Sequence, residues 1–317
     1  ILGIPEDIYS KLAVEPVLRT YILSLIAVNF VNTKKNILDF FGKTFWAYQF
    51  MDMEKLSLII DKMLDLLNGW EFIQYQKDDF MDADKIDNSN VKSTLLGKRV
   101  AELYIDPLTA YFFTACFRNA SDKQTNEFSF LQMICHTLEI RPLLRTGVKE
   151  QEKVQEHLLK FSSLLLEKEP SMHEPEYEDF INSIKTAMML QEWINEKDEQ
   201  YLLDQFNIRP GELRNKLNIA DWLLYCSEEI SRILHYQYLR KELVKLRLRL
   251  KHGIKEELLP LVRIEGIGRV RARKLFTNKI KDLKDLKNTN ITTLSQILGG
   301  KVALSVKKQI GQETKEI

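Results

Sequence analysis

From residue 106 almost to the C terminus, apolar residues recur at the three- and four-residue spacing of α-helices. Two stretches interrupt this pattern: the acidic, proline-containing EKEPSMHEPEYED at 167–179 and NIRPGE at 207–212. Spacing of this kind over most of a chain predicts a mainly α-helical protein. The middle of the chain, residues 106–235, is therefore predicted to be an all-helical domain.

The first hundred residues show a different pattern. Helical spacing predicts three short helices, at 16–30, 33–41 and 53–67, with Thr33 able to cap the second. They are followed by GWEFIQYQ, a polar loop DADKIDNSN and then STLLGKRVAELYI, whose alternating apolar residues on both sides of the loop predict a two-stranded β-ribbon. Three helices and a small ribbon predict a winged-helix domain over residues 1–105.

Charge is distributed unevenly along the chain. The formal net charge is only +1, but residues 236–317 contain 20 lysines and arginines against 8 acids, which leaves −11 on the rest. A segregated charge of +12 favours a polyanion as the partner of this last segment. The alternative is that a basic helical domain, 236–317, docks on an acidic neighbour in the same chain.

The sequence contains few signs of membrane, disulfide or metal chemistry. No apolar run is long enough to span a bilayer and no signal peptide is evident, so we expect an intracellular protein. The cysteines are three, widely spaced and without a C-x-x-C pair, and are expected to be buried as small apolar groups. The five histidines lack the spacing of metal ligands, so no metal site is predicted. These residues are Cys116, Cys135 and Cys226, and His136, His157, His173, His235 and His252.

The last long helix of the middle domain has two distinct faces. At about 100° per residue, Leu213, Leu217, Ala220 and Leu224 form an apolar stripe. Trp222 lies on the opposite side, with Asn215 and Asn218 beside it and Arg214 on the flank. Stacking of an unpaired nucleobase on such an indole is worth about 1–3 kcal/mol. Packing of the indole under a neighbouring domain remains the equal alternative.

The basic segment contains a second candidate site, IEGIGRVRARKLF at 264–276. Gly266 and Gly268 allow a sharp turn, and a helix is predicted to begin near Arg269, which gives a helix-hairpin-helix. The free N–H groups at the start of that helix can then point at a phosphate. Further positive charge comes from Arg271, Arg273 and Lys274. Contacts of this kind hold a nucleic-acid backbone without reading bases and depend steeply on salt.

Four segments together resemble a known family. They are SKLAVEPVLRTYILSLIA (10–27), LGKRVAELYIDPLTA (96–110), NIRPGELRNKLNIADWL (207–223) and KHGIKEELLPLVRIEGIGRVRARKLF (251–276). In this order they are similar to the signature segments of the archaeal Ski2-like superfamily 2 DNA helicases known as Hjm. The resemblance covers nearly the whole chain. It implies a winged helix, a helical ratchet bundle and a terminal helix-hairpin-helix domain.

The resemblance also implies an activity and a set of contacts. Such enzymes move 3′ to 5′ along single-stranded DNA using ATP and unwind forked DNA in replication-fork repair and recombination. An aromatic and a basic residue on the ratchet helix contact bases, and the aromatic position matches Trp222. The basic position falls on Arg214 or on Asn215, which lies closer to Trp222 on the helix. The terminal domain is expected to grip the exiting strand through basic residues matching Arg269, Arg271, Arg273 and Lys274.

The chain departs from the family in one respect. It contains no G-x-x-x-x-G-K-[ST] and no D-E-x-H segment, so we expect no ATP hydrolysis by this chain alone. ATP and Mg²⁺ would belong to motor domains absent from it, and the chain is expected to be a fragment of a larger archaeal helicase that works in the cytoplasm at the nucleoid. The helix at 53–67 balances its lysines with acids, which favours a scaffold role for the winged helix.

Two other functions stay open on the sequence. In the first, the chain is an interaction module whose acidic region, residues 149–204, recruits a Holliday-junction nuclease or a sliding clamp, and DNA contact is secondary. An RNA helicase of the Ski2 or Brr2 type is a further alternative, although the terminal hairpin favours DNA. Single-stranded and forked DNA are the partners that the residues and the resemblance favour together.

Overall fold

The computed structural model describes residues 8–12, 14–75 and 90–312. Unit 1 contains the described residues up to Ser121 together with Cys226–Gln237, and unit 2 contains Asp122–Tyr225 and the described residues from Tyr238 onward. The predicted mainly α fold with one small β-ribbon is confirmed. The division into three domains, 1–105, 106–235 and 236–317, stays a prediction.

Unit 1 consists of helices around one short antiparallel ribbon. In the ribbon, Ile73 pairs with Ser93 and Tyr75 pairs with Val91. The predicted polar loop at 82–90 lies outside the described residues except for Asn90, which forms a bridge with Thr33. The elements are α1 (Glu15–Ala27), α2 (Lys34–Phe41), α3 (Phe45–Phe50), α4 (Met53–Gly69), β1 (Ile73–Tyr75), β2 (Val91–Ser93), α5 (Leu95–Leu103) and α6 (Pro107–Ser121).

The prediction that STLLGKRVAELYI forms the second strand of the ribbon is wrong except at its first residue, Ser93. The strand ends at Ser93, and the segment that follows is the helix α5. Thr94 caps this helix, because its side chain accepts a hydrogen bond from the N–H of Gly97. Buried Leu96, Val100 and Leu103 then recur at helical spacing. The alternation seen in the sequence was therefore the start of a helical stripe.

The described residues before the ribbon contain four helices, not the three predicted. The additional helix, α3, is six residues long, too short for its apolar spacing to be distinctive. It contributes buried Trp46 and Ala47 to the core. The helix predicted at 53–67 is confirmed as α4, and Asp52 caps it by accepting a hydrogen bond from the N–H of Lys55 at 2.9 Å.

The secondary structure of unit 2 is helical, with no strand among its described residues. Its longest buried element is α9, in which a continuous run from Phe180 to Leu190 is buried. The α-helices are α7 (Glu127–Cys135), α8 (Gln151–Phe161), α9 (Tyr177–Ile194), α10 (Glu199–Phe206), α11 (Pro210–Ile233, which continues into unit 1), α12 (Gln237–His252), α13 (Arg269–Thr277), α14 (Leu283–Asn288), α15 (Ile291–Leu298) and α16 (Gly300–Gln309). Over the ranges that the structure covers, no helix has the length and apolarity needed to cross a bilayer.

The predicted break at NIRPGE is confirmed by the backbone. Asn207 ends α10 in the left-handed conformation, and Pro210 is the first residue of α11, where a missing N–H does no harm. The three cysteines are buried and unbridged, as predicted. Burial raises the pKa of the Cys135 thiol far above its usual range, so this thiol stays protonated.

Candidate nucleic-acid interface

The predicted apolar stripe of α11 fixes this helix in unit 2. Leu213, Ala220 and Leu224 are buried, and Leu217 is half-buried at the edge of a cleft. Lys216 adds a polar anchor on the buried side: its ammonium group donates hydrogen bonds to the carbonyl oxygens of Ile140 at 3.1 Å and Pro142 at 2.5 Å. Burial lowers the pKa of Lys216, opposed by nearby acidic groups.

The opposite face of α11 presents the residues that the sequence singled out. Arg214, Asn215 and Asn218 are exposed and Trp222 is half-buried, so part of the indole lies at the surface. The polar face ends one turn later, because Cys226 is fully buried. The strip of Arg214, Asn215, Asn218 and Trp222 therefore lies within the first four turns of the helix.

A cleft of about 690 Å³ adjoins these first turns. Arg214 and Asn218 line it, and Lys251 at the end of α12 supplies a second cation. Asp221 also lines the cleft, but its carboxylate is paired with the guanidinium of Arg247 at 3.0 Å. One wall is Trp193 at the end of α9, a residue that the sequence analysis did not single out.

The predicted glycine turn precedes a helix that begins at Arg269, as expected. Gly266 has φ +84°, a conformation that favours glycine, whereas Gly268 has an ordinary φ of −92°. A Cβ atom at Gly268 would meet no protein atom within 4 Å, and no side chain caps α13. The chain itself does not require glycine at 268. Between α12 and the glycine turn the chain forms a single 3₁₀ turn, Glu256–Leu258, where a helix-hairpin-helix would have an α-helix.

The four predicted cations of α13 lie in two different environments. Arg271 is exposed and donates a hydrogen bond to the carbonyl of Gly266 at 2.8 Å, and Lys274 is exposed. Arg269 is half-buried, with its guanidinium 5.2 Å from the ring centre of Trp193, and burial lowers its pKa. Arg273 is half-buried in ion pairs with two carboxylates.

Those two carboxylates and Trp193 were missed from the sequence. Glu196 accepts hydrogen bonds from Nε and Nη2 of Arg273 at 2.8 and 2.5 Å, and Glu257 accepts one from its Nη1 at 2.8 Å. In the sequence, Glu196 is only an acid just after a predicted helix. It lies 77 residues before Arg273, and no spacing in the sequence indicates that the two are in contact.

Two lysines of unit 1 on or beside α4 are paired with carboxylates. Lys34 donates to the carboxylate of Asp61 at 3.1 Å, and Lys62 is paired with Glu15. This agrees with the charge balance that argued against α4 as a groove-binding helix.

Comparison with known proteins shows that the sequence is similar to archaeal helicases. A family model described as "Archaeal helicase, domain 4" matches residues 128–253, a range that runs from the second residue of α7 to just beyond the end of α12. That range contains α11 and Trp193 and ends at Gly253, before α13 begins.

Several curated proteins are similar to nearly all of the chain. It is 35% identical to the ATP-dependent DNA helicase Hel308 of Pyrococcus horikoshii over 321 residues, covering 99% of this chain and 42% of the relative. The proteins of the same name from Methanocella arvoryzae and Methanococcus vannielii are 34% and 33% identical, over 98% and 99% of this chain and 40% and 45% of the relatives. The chain therefore spans less than half the length of these curated relatives.

Proposed function

We propose that the chain, which is similar over nearly its whole length to archaeal Hel308 helicases, is the C-terminal, DNA-handling part of such an enzyme. In this proposal the whole helicase uses ATP to move 3′ to 5′ along single-stranded DNA and unwinds forked DNA in replication-fork repair and recombination. The exposed strip of α11 contacts bases through Trp222. The start of α13 holds the phosphate backbone.

The observation that carries the proposal is the environment of Gly268. The first turn of α13 lies open: a Cβ atom at Gly268 would meet nothing, no side chain caps the helix, and Arg271 and Lys274 are exposed on it. A helix N-terminus attracts anions, and two exposed cations that make no ion pair among those seen in the described residues strengthen that attraction. A sugar-phosphate backbone supplies such anions at regular spacing.

Binding of single-stranded DNA tests the proposal. We expect Trp222→Ala to weaken binding by about 1–3 kcal/mol, the value of one base–aromatic stack. Replacing Arg269, Arg271 and Arg273 together by Ala should weaken binding further and lower its salt dependence. Fluorescence anisotropy with a labelled forked DNA at two salt concentrations measures both. Binding equal to the parent in both variants at moderate salt would overturn the proposal.

ATP hydrolysis is proposed to reside outside this chain. The sequence lacks a phosphate-binding G-x-x-x-x-G-K-[ST] segment, so ATP and Mg²⁺ would be held by motor domains of the longer protein. Unit 1 is proposed to contact those domains as a scaffold, because it exposes large apolar side chains, including Tyr48 at 73% and Leu58 at 70%. Adding the motor part in trans and measuring DNA-stimulated ATPase activity tests this role.

The interaction-module alternative has less support. In it the acidic region at 149–204 recruits a nuclease or a clamp. Two carboxylates of that region are instead used within unit 2: Glu150 is paired with Lys185 at 2.7 Å, and Glu196 is paired with Arg273. Their hydrogen bonds are made to this chain, which leaves fewer acids for a partner and favours the DNA-handling role.

A further inference from the structure

The four cations of α13 differ in what they can do for a bound strand. We propose that Glu196 and Trp193 are positioning residues, which hold Arg273 and Arg269 against the protein so that only Arg271 and Lys274 face the DNA. This inference rests on the proposed function. It divides a basic segment that looks uniform in the sequence into an anchoring face and a binding face.

The anchoring of Arg273 is nearly complete. Glu196 receives two of its N–H groups at 2.8 and 2.5 Å, and Glu257 receives a third at 2.8 Å. A planar guanidinium with a bidentate carboxylate partner is held in both position and orientation. Its positive charge is matched by two negative ones, so Arg273 has little charge left to offer a phosphate.

The backbone of Glu196 gives an independent reason to assign it a role. Glu196 has φ +70°, a left-handed conformation that is uncommon for residues other than glycine and asparagine. Glycine would fit this position without strain, but it has no carboxylate. The strained glutamate also accepts a hydrogen bond from the N–H of Lys255 at 3.1 Å. A left-handed backbone and contacts with two distant segments of the chain therefore coincide at this residue.

Trp193 performs the equivalent role for Arg269. Its Nε1–H donates to the carbonyl of Leu250 at 2.7 Å, which fixes the indole at the end of α12. The backbone at Gly253 packs against the indole, because a Cβ there would lie 2.8 Å from Cε2. The guanidinium of Arg269 lies over the ring, 5.2 Å from its centre. The indole is therefore a fixed platform for the first residue of α13.

Helical geometry turns these contacts into two faces. Arg269 and Arg273 are four residues apart, so they lie on one side of α13, toward the end of α9 that carries Trp193 and Glu196. Arg271 and Lys274 are three residues apart, are exposed, and lie elsewhere on the helix surface. Holding the first pair fixes the direction in which the second pair points.

Whether Glu196→Gln weakens or tightens the binding of single-stranded DNA tests this inference. Removing a carboxylate close to a bound polyanion ordinarily tightens binding, because it removes a repulsion. If Glu196 positions α13, Glu196→Gln should instead weaken binding of single-stranded DNA, by about threefold to tenfold. Gln keeps an oxygen that can accept from the N–H of Lys255, so the substitution affects mainly the contact with Arg273.

A matched control is Glu265→Gln. Glu265 is exposed beside the same glycine turn, and only its backbone groups make hydrogen bonds among those seen in the described residues, both with the side chain of Gln309. This variant removes the same charge without touching Arg273. We expect it to bind DNA as tightly as the parent or more tightly.

A double-mutant cycle supplies the readout that a general loss of structure would not give. Arg273→Gln should weaken binding as much as Glu196→Gln, and the double variant should be no worse than either, because both remove one contact. Neither should change the salt slope as Arg271→Gln does, which removes about 0.7 from it for a single strand. Tighter binding by Glu196→Gln, or additive effects in the double variant, would overturn the inference.

The outcomes also separate this inference from the proposed function. If Arg271→Gln and Trp222→Ala both bind like the parent, the DNA-handling role itself fails. If those two weaken binding while Glu196→Gln tightens it, the role stands, and Arg273 contacts the strand directly.

Discussion

Gly253 and Gly268 lie fifteen residues apart in unit 2, and each lies next to a helix end, yet they are glycines for different reasons. Gly253 follows α12 with φ +61°, and a Cβ there would lie 2.8 Å from the indole of Trp193. Gly268 precedes α13 with an ordinary backbone, and a Cβ there would meet nothing. The protein itself requires the first glycine but not the second.

The comparison separates two kinds of constraint on a sequence. At Gly253 both the backbone conformation and the packing exclude a side chain, so the fold explains the residue completely. At Gly268 the fold accounts only for the modest preference for glycine at a helix N-cap, while an approaching phosphate backbone would require the open space. A substitution at Gly253 should therefore mainly lower stability, whereas a substitution at Gly268 should mainly weaken DNA binding.

The largest effect is expected from Gly253→Ala. The new methyl group must displace Trp193 and adopt a left-handed conformation, which together should destabilise unit 2 by about 2–4 kcal/mol. Chemical unfolding followed by circular dichroism measures this loss. A loss of less than about 0.5 kcal/mol would show that the indole moves aside easily, and Trp193 would then be a poor platform for Arg269.

Gly266→Ala comes next and isolates the contribution of the backbone. Gly266 has φ +84°, but a Cβ there meets no atom within 4 Å. The substitution should therefore cost only the conformational strain of alanine, about 1–2 kcal/mol. The same unfolding measurement applies. A cost as large as that of Gly253→Ala would mean that packing adds little at Gly253.

Gly268→Ala should change stability least of the three glycine substitutions and should weaken binding. Alanine is a poorer helix N-cap than glycine by about 0.5–1 kcal/mol, so the unfolding midpoint should move only slightly. A methyl group between the helix N-terminus and a phosphate should weaken binding of single-stranded DNA by about fivefold. Equal affinity in this variant and the parent would mean that no strand approaches Gly268.

The sequence predicted those elements whose signals are local. The spacing of Leu213, Ala220 and Leu224 was sufficient to define α11 and to place Trp222 opposite its core, and the glycine turn was sufficient to place the start of α13. The helix α5 was mistaken for a strand, because five or six residues of alternating apolar character also fit the first turn of a helix.

The sequence could not predict contacts between distant segments. Arg273 and Arg269 looked like free cations in a basic run, and only the fold brings Glu196 and Trp193 against them from the end of α9. Which charges of a basic helix are available to a ligand depends on such pairing, and pairing is a property of tertiary structure.

The smallest expected effect is a pH dependence of stability that involves Glu196. This residue belongs to the comparison because its carboxylate accepts a hydrogen bond from the N–H of Lys255, two residues after Gly253. Burial alone would raise the pKa of the Glu196 carboxyl, but hydrogen bonds from Arg273 and from the N–H of Lys255 outweigh it, so the pKa lies below its usual value of 4.5. A carboxyl whose pKa is lowered by folding stabilises the fold fully above its unfolded pKa. This contribution is lost as the pH falls from the unfolded pKa through the lower pKa of the folded state. We therefore expect the Tm of Glu196→Gln to lie below that of the parent at pH 7 and to approach it between pH 5 and pH 3, as measured by calorimetry. A constant difference over this range would mean that Glu196 contributes through its shape and not through its charge.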